Sequence, residues 1–262
     1  MAKIIDKSGK IVKNYKYNLE IDKACFSKSG NIKLGETVYT FSKLPGNLTY
    51  IVNAANGSFV CQGSCGSFCK GCGDVIKDKD GNYILPSCYV FKSFRYSSVV
   101  AAQMRNTIAM RQNMKALFSR LYWQLKRARK APAVVRINQS GELESKEEFL
   151  RWCQLAEQFQ GTKFWLYSKA FGYIDVSKMP ANMFLNVSVW HEYGINEYFT
   201  FSEKSKQVNA FVYDDGYDYK SKGLIFNTRC NAYKGGKLNH SITCEKCGKC
   251  FKRSGVIACE DH

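Results

Sequence analysis

The sequence contains no run of about eighteen apolar residues, the length that a membrane-spanning helix requires. Its first six residues also lack the apolar core of a secretory signal peptide. Internal repeats and low-complexity segments are absent as well. These absences exclude a helical membrane protein and a repeat protein, and they predict a cytoplasmic protein without a membrane partner.

Acidic residues are scarce, with 22 Asp and Glu against 39 Lys and Arg, and the net charge of +17 is spread along the chain. Such an excess predicts a basic surface that faces a polyanion, and nucleic acid is the expected partner, with DNA and RNA both open. The 262 residues are 45% hydrophobic and 14% aromatic, which is enough for a large core and excludes a disordered or fibrous chain.

Cysteine is abundant, with twelve residues, and in a reducing compartment clustered cysteines favour metal or redox chemistry over disulfides. Five of them lie between residues 61 and 88, where the central three read C-x3-C-x2-C. A second group near residue 250 reads C-x2-C-x2-C. Thiolates at these spacings can converge on one metal centre. The two triplets are Cys65, Cys69 and Cys72, and Cys244, Cys247 and Cys250.

Three thiolates hold a [4Fe–4S] cluster with one iron left open, and the first triplet matches the spacing of the radical S-adenosylmethionine enzymes, whose open iron binds that cofactor. Cys61 or Cys88 could replace one of its ligands. The second triplet needs a fourth ligand, and zinc and iron–sulfur both fit it. The candidates for that position are Cys230, His240, Cys259 and His262.

The pattern of elements predicts an α/β fold. A strand at 133–138, a helix with the capping pair Ser145 and Glu148, and a strand at Lys163–Ser168 form a βαβ unit. Further strands are expected at 48–53, 183–189, 209–213 and 224–227. We expect a partial or irregular (β/α) barrel with the first cysteine loop over the carboxyl ends of its strands. The expected divisions are a strand-rich extension at 1–45, an α/β core at 46–228 and a metal-binding tail at 229–262.

A long helix is predicted from Ser97 to Arg129, and much of its surface is basic. Cations in this arrangement suit either a solvated face or contact with a nucleic-acid backbone. The residues predicted for that contact are Arg105, Arg120, Lys126, Arg127, Arg129 and Lys130.

Glu142 is the candidate catalytic carboxylate. It follows a strand through Ser140 and Gly141, and the glycine permits a tight turn and close approach of a ligand. Arg136, on that strand, could neutralise Glu142 or bind a carboxylate or phosphate. His191, which follows another strand end, is a second candidate acid or base.

The sequence resembles the phage gene product 88 family over residues 44–170 and, in part, near residue 250. Ser140-Gly141-Glu142 and Tyr167-Ser168-Lys169 stand where the family usually has Ser-Gly-Asp and Tyr-Thr-Lys, so a carboxylate and a hydroxyl are kept. The other residues that carry the resemblance are Leu44-Pro45, Cys61-Gln62-Gly63, Cys88-Tyr89, Arg105-Asn106, Val135-Arg136-Ile137, Trp152, Phe164 and Cys244-x2-Cys247-Gly248-x-Cys250.

This resemblance implies a protein of phage or mobile-element type in the cytoplasm of a bacterial host. A weaker likeness to radical S-adenosylmethionine barrels implies that residues 140–142 contact the amino group of the bound methionine moiety, and that the enzyme modifies nucleic acid or a substrate bound to it. Two alternatives stay open. One is DNA base exchange by carboxylates with structural zinc, and the other is a non-catalytic, zinc-stabilised nucleic-acid-binding protein.

Overall fold

The structure is a computed structural model. It describes residues 2–5, 11–15, 19–28, 34–35, 37–46, 48–54, 57–66, 76–77, 83–84, 89–231, 233–234, 237–239 and 241–259. Cys69, Cys72, Cys88, His240 and His262, all named above as candidate ligands, lie outside the described residues.

Sixteen short or medium strands and four α-helices are described. The strands are β1 (Ala2–Ile5), β2 (Ile11–Tyr15), β3 (Ser27–Lys28), β4 (Val38–Thr40), β5 (Thr49–Ala54), β6 (Gly57–Gln62), β7 (Ile76–Lys77), β8 (Tyr83–Ile84), β9 (Val134–Ile137), β10 (Lys163–Ser168), β11 (Met183–Val189), β12 (Val208–Tyr213), β13 (Thr228–Arg229), β14 (Tyr233–Lys234), β15 (Lys237–Leu238) and β16 (Val256–Cys259). The helices are α1 (Ser97–Lys126), α2 (Lys146–Glu157), α3 (Ile195–Lys204) and α4 (Cys244–Cys247).

The chain divides into two compact units, and each contains non-contiguous segments. The first unit comprises residues 1–26, 41–124 and 138–144. The second comprises residues 27–40, 125–137 and 145–262.

The second unit is built on an eight-stranded sheet in the order β13-β16-β12-β11-β10-β9-β4-β3. All of its pairings are parallel except that of β3 with β4. The strands β9, β10, β11 and β12 are neighbours both in the sheet and in chain order, as successive strand–crossover–strand units produce. The mixed α/β class is therefore confirmed, with a large and mostly parallel sheet.

The central strands form because their residues are almost continuously apolar, which suits a sheet covered on both faces. In β10 and β11 the residues Phe164, Trp165, Leu166, Leu185 and Val187 are all at most 1% exposed. Both strands have the bounds that the sequence predicts. The predicted strand at 224–227 is wrong, because Leu224 is buried while Ile225 is 65% exposed, and strand pairing begins only at Thr228.

Helix α2 confirms the predicted cap, since the Ser145 side chain accepts a hydrogen bond from the backbone N–H of Glu148. Its other end is secured by Asn182, whose side-chain amide donates to the carbonyls of Ala156, Phe159 and Thr162 at 2.9, 3.0 and 2.8 Å. These bonds join Asn182 to the end of α2 and to the turn that follows it.

The first unit contains an antiparallel sheet in the order β2-β1-β5-β6. The strand predicted at 48–53 is β5, but it belongs to this sheet, and β6 lies between it and the cysteine triplet. Helix α1 is interrupted at Asn113, whose backbone is non-helical and whose side chain accepts from the N–H of Ala116 at 2.9 Å. Asn113 thus caps a second helical segment. Within the described residues, no helix is long and apolar enough to cross a membrane.

Candidate functional site

The start of the first cysteine loop is fixed by backbone hydrogen bonds within the first unit. The N–H groups of Gly63, Ser64 and Cys65 donate to the carbonyls of Leu48, Leu44 and Gly46 at 2.9, 2.8 and 3.1 Å. Residue 63 must be glycine, because a Cβ there would overlap the carbonyl oxygens of Pro45 and Gly46. Cys65 is consequently held in a buried turn, whereas Cys61 lies in β6 opposite Tyr50.

The predicted Ser140-Gly141-Glu142 motif is packed against this turn. The backbone N–H of Glu142 donates to Oγ of Ser64 at 3.0 Å, and that hydroxyl donates to the carbonyl of Leu44 at 2.8 Å. Gly141 has a φ of +81°, and a Cβ on it would overlap Ser64 Oγ and come within 2.8 Å of Lys43 Cβ. Ser64, next to Cys65 in the chain, therefore connects the first cysteine loop to the motif.

The side chains of Ser140 and Glu142 are both buried, and each forms a hydrogen bond with a nearby backbone group. Ser140 donates its hydroxyl to the carbonyl of Lys43 at 2.8 Å, so it also holds the backbone of the neighbouring segment. Glu142 is 6% exposed, and its Oε1 accepts from the N–H of Leu143 at 2.8 Å. This bond fixes the direction of the carboxylate.

An ion-pair network that the sequence gave no reason to expect lies beside the motif. The fully buried ammonium of Lys43 is 3.3 Å from Oε2 of Glu144, and Arg111 of α1 binds the other carboxylate oxygen. Burial by itself would raise the pKa of Glu144, but Lys43 and Arg111 outweigh burial and lower it. Glu144 is therefore held as a carboxylate that neutralises the buried lysine.

Helix α1 also contacts the backbone of residues 42–44, on either side of Lys43, through two polar side chains. Asn106 donates to the carbonyl of Ser42 at 3.0 Å and accepts from the N–H of Cys25 at 3.1 Å. Thr107 accepts from the N–H of Leu44 at 2.8 Å. Asn106 was noted in the sequence only through the family resemblance, and its helical position gave no hint of these long-range contacts.

The predicted nucleic-acid residues do not share one environment. Arg105 and Arg120 are half-buried in the first unit, where both lower the pKa of the Cys25 thiol against the larger, opposite effect of burial. The other four are exposed in the second unit. They are Lys126, Arg127, Arg129 and Lys130.

In the second unit, Arg136 and His191 each contact aromatic rings. The Arg136 guanidinium lies over the rings of Tyr167 and Trp165, with centroids 5.0 and 5.9 Å away. His191 is exposed and has a φ of +51°. Its Nε2 is 2.8 Å from Asp215 Oδ2, and its ring stacks on Tyr217 at 4.9 Å.

The His191–Asp215 pair lies at the carboxyl ends of the adjacent parallel strands β11 and β12. Burial by itself would raise the pKa of Asp215. The N–H of Tyr217 and the imidazole of His191 outweigh burial, and the pKa is lowered. The carboxylate is therefore suited to orient the imidazole. Asp215 carried no signal of its own in the sequence.

Two cysteines of the second triplet, Cys244 and Cys250, pack against a hydrophobic cluster of Leu34, Val38, Val134, Trp165 and Phe251. All three cysteines of the triplet line a pocket. Cys230, one of the candidates for the fourth ligand, lines the same pocket. Burial raises the pKa of the Cys250 thiol to about 12. Across the described residues, no group of three or more Cys, His, Asp or Glu side chains could hold a single metal ion.

Comparison with known proteins identifies the family but no individual relative. No curated protein and no solved structure matches the chain. These searches therefore give no support to the likeness to radical S-adenosylmethionine barrels. A family model described as gene product 88 matches residues 23–253, which is most of the chain. The resemblance noted in the sequence is thus confirmed, and the chain belongs to the gene product 88 family.

Proposed function

We propose that this protein is a radical S-adenosylmethionine-like enzyme that acts on nucleic acid or on a substrate bound to it. Cys65, Cys69 and Cys72 would bind a [4Fe–4S] cluster, and residues 140–142 would bind the methionine moiety of the cofactor. The observation that carries the proposal is the hydrogen bond from the N–H of Glu142 to Ser64, the residue that precedes Cys65.

Two features of the described residues support this proposal. The turn at Gly63–Cys65 is fixed by three backbone hydrogen bonds, so the first ligand of the C-x3-C-x2-C triplet starts from a defined position. Gly141, which has no side chain, packs its backbone directly against Ser64 of this turn and so places the motif beside the first cysteine ligand. A cluster held by Cys65, Cys69 and Cys72 would supply one electron, taken from an external reductant, to the sulfonium of S-adenosylmethionine and so initiate radical chemistry.

Glu142 has the charge and the rigidity that recognition of an ammonium group requires. A carboxylate forms stronger hydrogen bonds to a charged amine than a neutral acceptor does. Its direction is fixed by the bond from the N–H of Leu143, and its backbone is fixed by Ser64. Preorganisation of this kind reduces the entropy lost on binding.

The parallel sheet of the second unit supports the same proposal at the level of the fold. Four parallel strands adjacent in chain order, β9 to β12, are the kind of unit from which a (β/α) barrel, complete or partial, is built. The exposed cations at Lys126, Arg127, Arg129 and Lys130 support nucleic acid as the partner.

Spectroscopy on protein purified and reconstituted without oxygen tests the cluster. We expect absorbance near ~400 nm from thiolate-to-iron charge transfer, and an electron paramagnetic resonance signal of the reduced protein that changes when S-adenosylmethionine is added. The triple variant Cys65→Ala, Cys69→Ala, Cys72→Ala should lose about four iron atoms per chain and the cofactor-dependent change. The control variant Cys25→Ala, Cys153→Ala should keep both.

Glu142→Gln tests the cofactor site separately from the cluster. The variant should keep its iron, while its affinity for S-adenosylmethionine should fall about tenfold or more, because an amide does not neutralise the ammonium group. Glu147→Gln, at an exposed position, is the control. Unchanged affinity in Glu142→Gln would show that Glu142 does not bind the cofactor. If the electron paramagnetic resonance signal of the wild type does not change when S-adenosylmethionine is added, the proposed activity is refuted.

A further inference from the structure

The pocket near residue 250 brings together four cysteines from two separate segments of the second unit. Cys230 follows β13, and Cys244, Cys247 and Cys250 lie in and just after α4. All four are thiols rather than disulfides. The remaining wall of the pocket is largely apolar and includes Ile242, Phe251 and Ile257.

The spacing of these cysteines favours a cluster over a single ion. Three cysteines in C-x2-C-x2-C with a fourth from a distant segment is the ligand pattern of ferredoxin-type [4Fe–4S] sites. The loop is shaped for it by Gly248, whose φ of +68° ends α4 and turns the chain so that Cys250 follows in a second short turn. The N–H of Gly248 donates to the carbonyl of Cys244 at 2.8 Å and closes the first turn.

The distant segment is secured to the loop at Cys230. The Lys249 ammonium donates to the carbonyl of Arg229 at 2.8 Å and to Oδ1 of Asn231 at 3.0 Å, and these residues flank Cys230 on both sides. The N–H of Cys230 donates to the carbonyl of Ala258 at 2.7 Å. Cys259, by contrast, is 1% exposed in β16 and does not line the pocket.

Neighbouring groups also suit the negative charge of a cluster with four thiolates. The Tyr167 hydroxyl donates to Sγ of Cys250 at 2.9 Å, and the Arg136 guanidinium lies over the Tyr167 ring. Hydrogen bonds to the sulfur ligands raise the reduction potential of such clusters. Asn186 further fixes the loop, because its side-chain amide donates to the carbonyl of Cys250 at 2.9 Å.

We propose that Cys230, Cys244, Cys247 and Cys250 bind a second [4Fe–4S] cluster, in which all four irons are ligated by the protein. With no open iron, this cluster binds neither substrate nor S-adenosylmethionine. The inference is independent of the function proposed above, since it concerns other residues in a different unit.

The variant Cys65→Ala, Cys69→Ala, Cys72→Ala isolates this site without changing it. After reconstitution without oxygen, we expect about four iron and four sulfide per chain, with a reduced-state signal that does not respond to S-adenosylmethionine. About one zinc and no iron per chain, or no metal at all, would overturn the inference. Neither result would bear on the first cluster, which is assessed in protein with that triplet intact.

Single substitutions identify the fourth ligand. In the same background, Cys230→Ala should lose most of the iron, whereas Cys259→Ala should keep it. The reverse result would overturn the assignment of Cys230. If Cys230→Ala fails to fold, Lys249→Met provides a second test, because it leaves all four cysteines in place but removes the hydrogen bonds on both sides of Cys230. This variant should release iron to a chelator faster than the control Lys246→Met. Equal rates would contradict the proposed position of Cys230 at the cluster.

Tyr167→Phe tests the cluster through its reduction potential, a property that a zinc site does not have. Removal of the hydroxyl takes away the hydrogen bond to Cys250, so the reduction potential of the isolated cluster should become more negative. The iron content should stay the same. An unchanged potential would show that Cys250 is not a ligand of the redox-active centre.

Discussion

The contact between Gly141 and Ser64 permits a quantitative test of how the motif is held against the cysteine loop. Gly141→Ala places an L residue at a φ of +81°, which costs roughly 1–2 kcal/mol. Its Cβ also overlaps Ser64 Oγ and approaches Lys43 Cβ to 2.8 Å, so one of the two segments must shift. We expect a total loss of about 3 kcal/mol in the free energy of unfolding.

Ser64→Ala removes the acceptor of the buried N–H of Glu142, and an unsatisfied buried group of this kind costs about 1–3 kcal/mol. The same substitution removes the atom that a Cβ at residue 141 would overlap. The double variant should therefore be more stable than the sum of the single losses predicts, by about 1 kcal/mol. The rescue should be partial, because the contact with Lys43 remains.

Urea unfolding of the wild type, both single variants and the double variant gives the coupling energy directly. Gly161→Ala is the control, since a Cβ there meets nothing within 4 Å, and it should change stability by less than about 0.5 kcal/mol. Additive losses within about 0.5 kcal/mol, or a neutral Gly141→Ala, would refute the close packing of residue 141 on the cysteine loop.

Three further predictions concern other parts of the chain. Glu144→Gln removes the carboxylate that faces the buried Lys43 and should lower stability at pH 7 by about 3 kcal/mol, whereas Glu147→Gln, in an exposed pair, should lower it by less than about 1. Because the folded-state pKa of Glu144 is lowered, the contribution of this carboxylate to stability is complete above the ordinary carboxyl pKa. That contribution is lost as the pH falls through the lowered pKa. Urea unfolding should therefore show that the difference in stability between wild type and Glu144→Gln disappears in acid. Asn182→Asp replaces three donated hydrogen bonds with repulsion between a carboxylate and carbonyl groups and should cost about 3 kcal/mol by the same measurement; a neutral effect would contradict its role at the end of α2. Glutamine at Lys126, Arg127, Arg129 and Lys130 should weaken nucleic-acid binding and reduce the slope of log affinity against log salt by up to about 3.6 for duplex DNA, while glutamine at Lys204 and Lys206 should leave the slope unchanged.

The parallel strands could be predicted from the sequence because their signal is local. The residues of β10 and β11 form apolar, β-branched and aromatic runs, and these runs give the observed bounds. Ser145 and Glu148 likewise define the start of α2 through contacts three residues apart. The strand expected at 224–227 is wrong because an apolar run alone does not show whether its residues are buried.

The break in α1 had a signal that the prediction did not use. Met104 and Ile108 are four residues apart, as are Leu117, Leu121 and Leu125, but nine residues separate Ile108 from Leu117. At about 100° per residue, nine residues correspond to two and a half turns, so the two apolar stripes face opposite sides of one continuous helix. The non-helical backbone at Asn113 allows both stripes to be buried.

The site itself was only partly accessible from the sequence. Glycine before an acid indicated a turn at residues 140–142, and the cysteine spacing indicated the two loops. Lys43, Ser64, Glu144 and Asp215 were missed because their partners lie 24 to 101 residues away in the chain. A buried lysine looks the same in a sequence as a solvated one, and only the fold supplies its counter-ion.

The position of β16 has a consequence for how the protein is made. This strand, at residues 256–259, lies inside the sheet, with β12 on one side and β13 on the other. A ribosome must therefore synthesise residue 259 and release it from the exit tunnel before β13 can join the sheet, and Cys230 reaches its final place only then. An inorganic centre that uses Cys230 as a ligand could accordingly be inserted only after residue 259 has been synthesised and released.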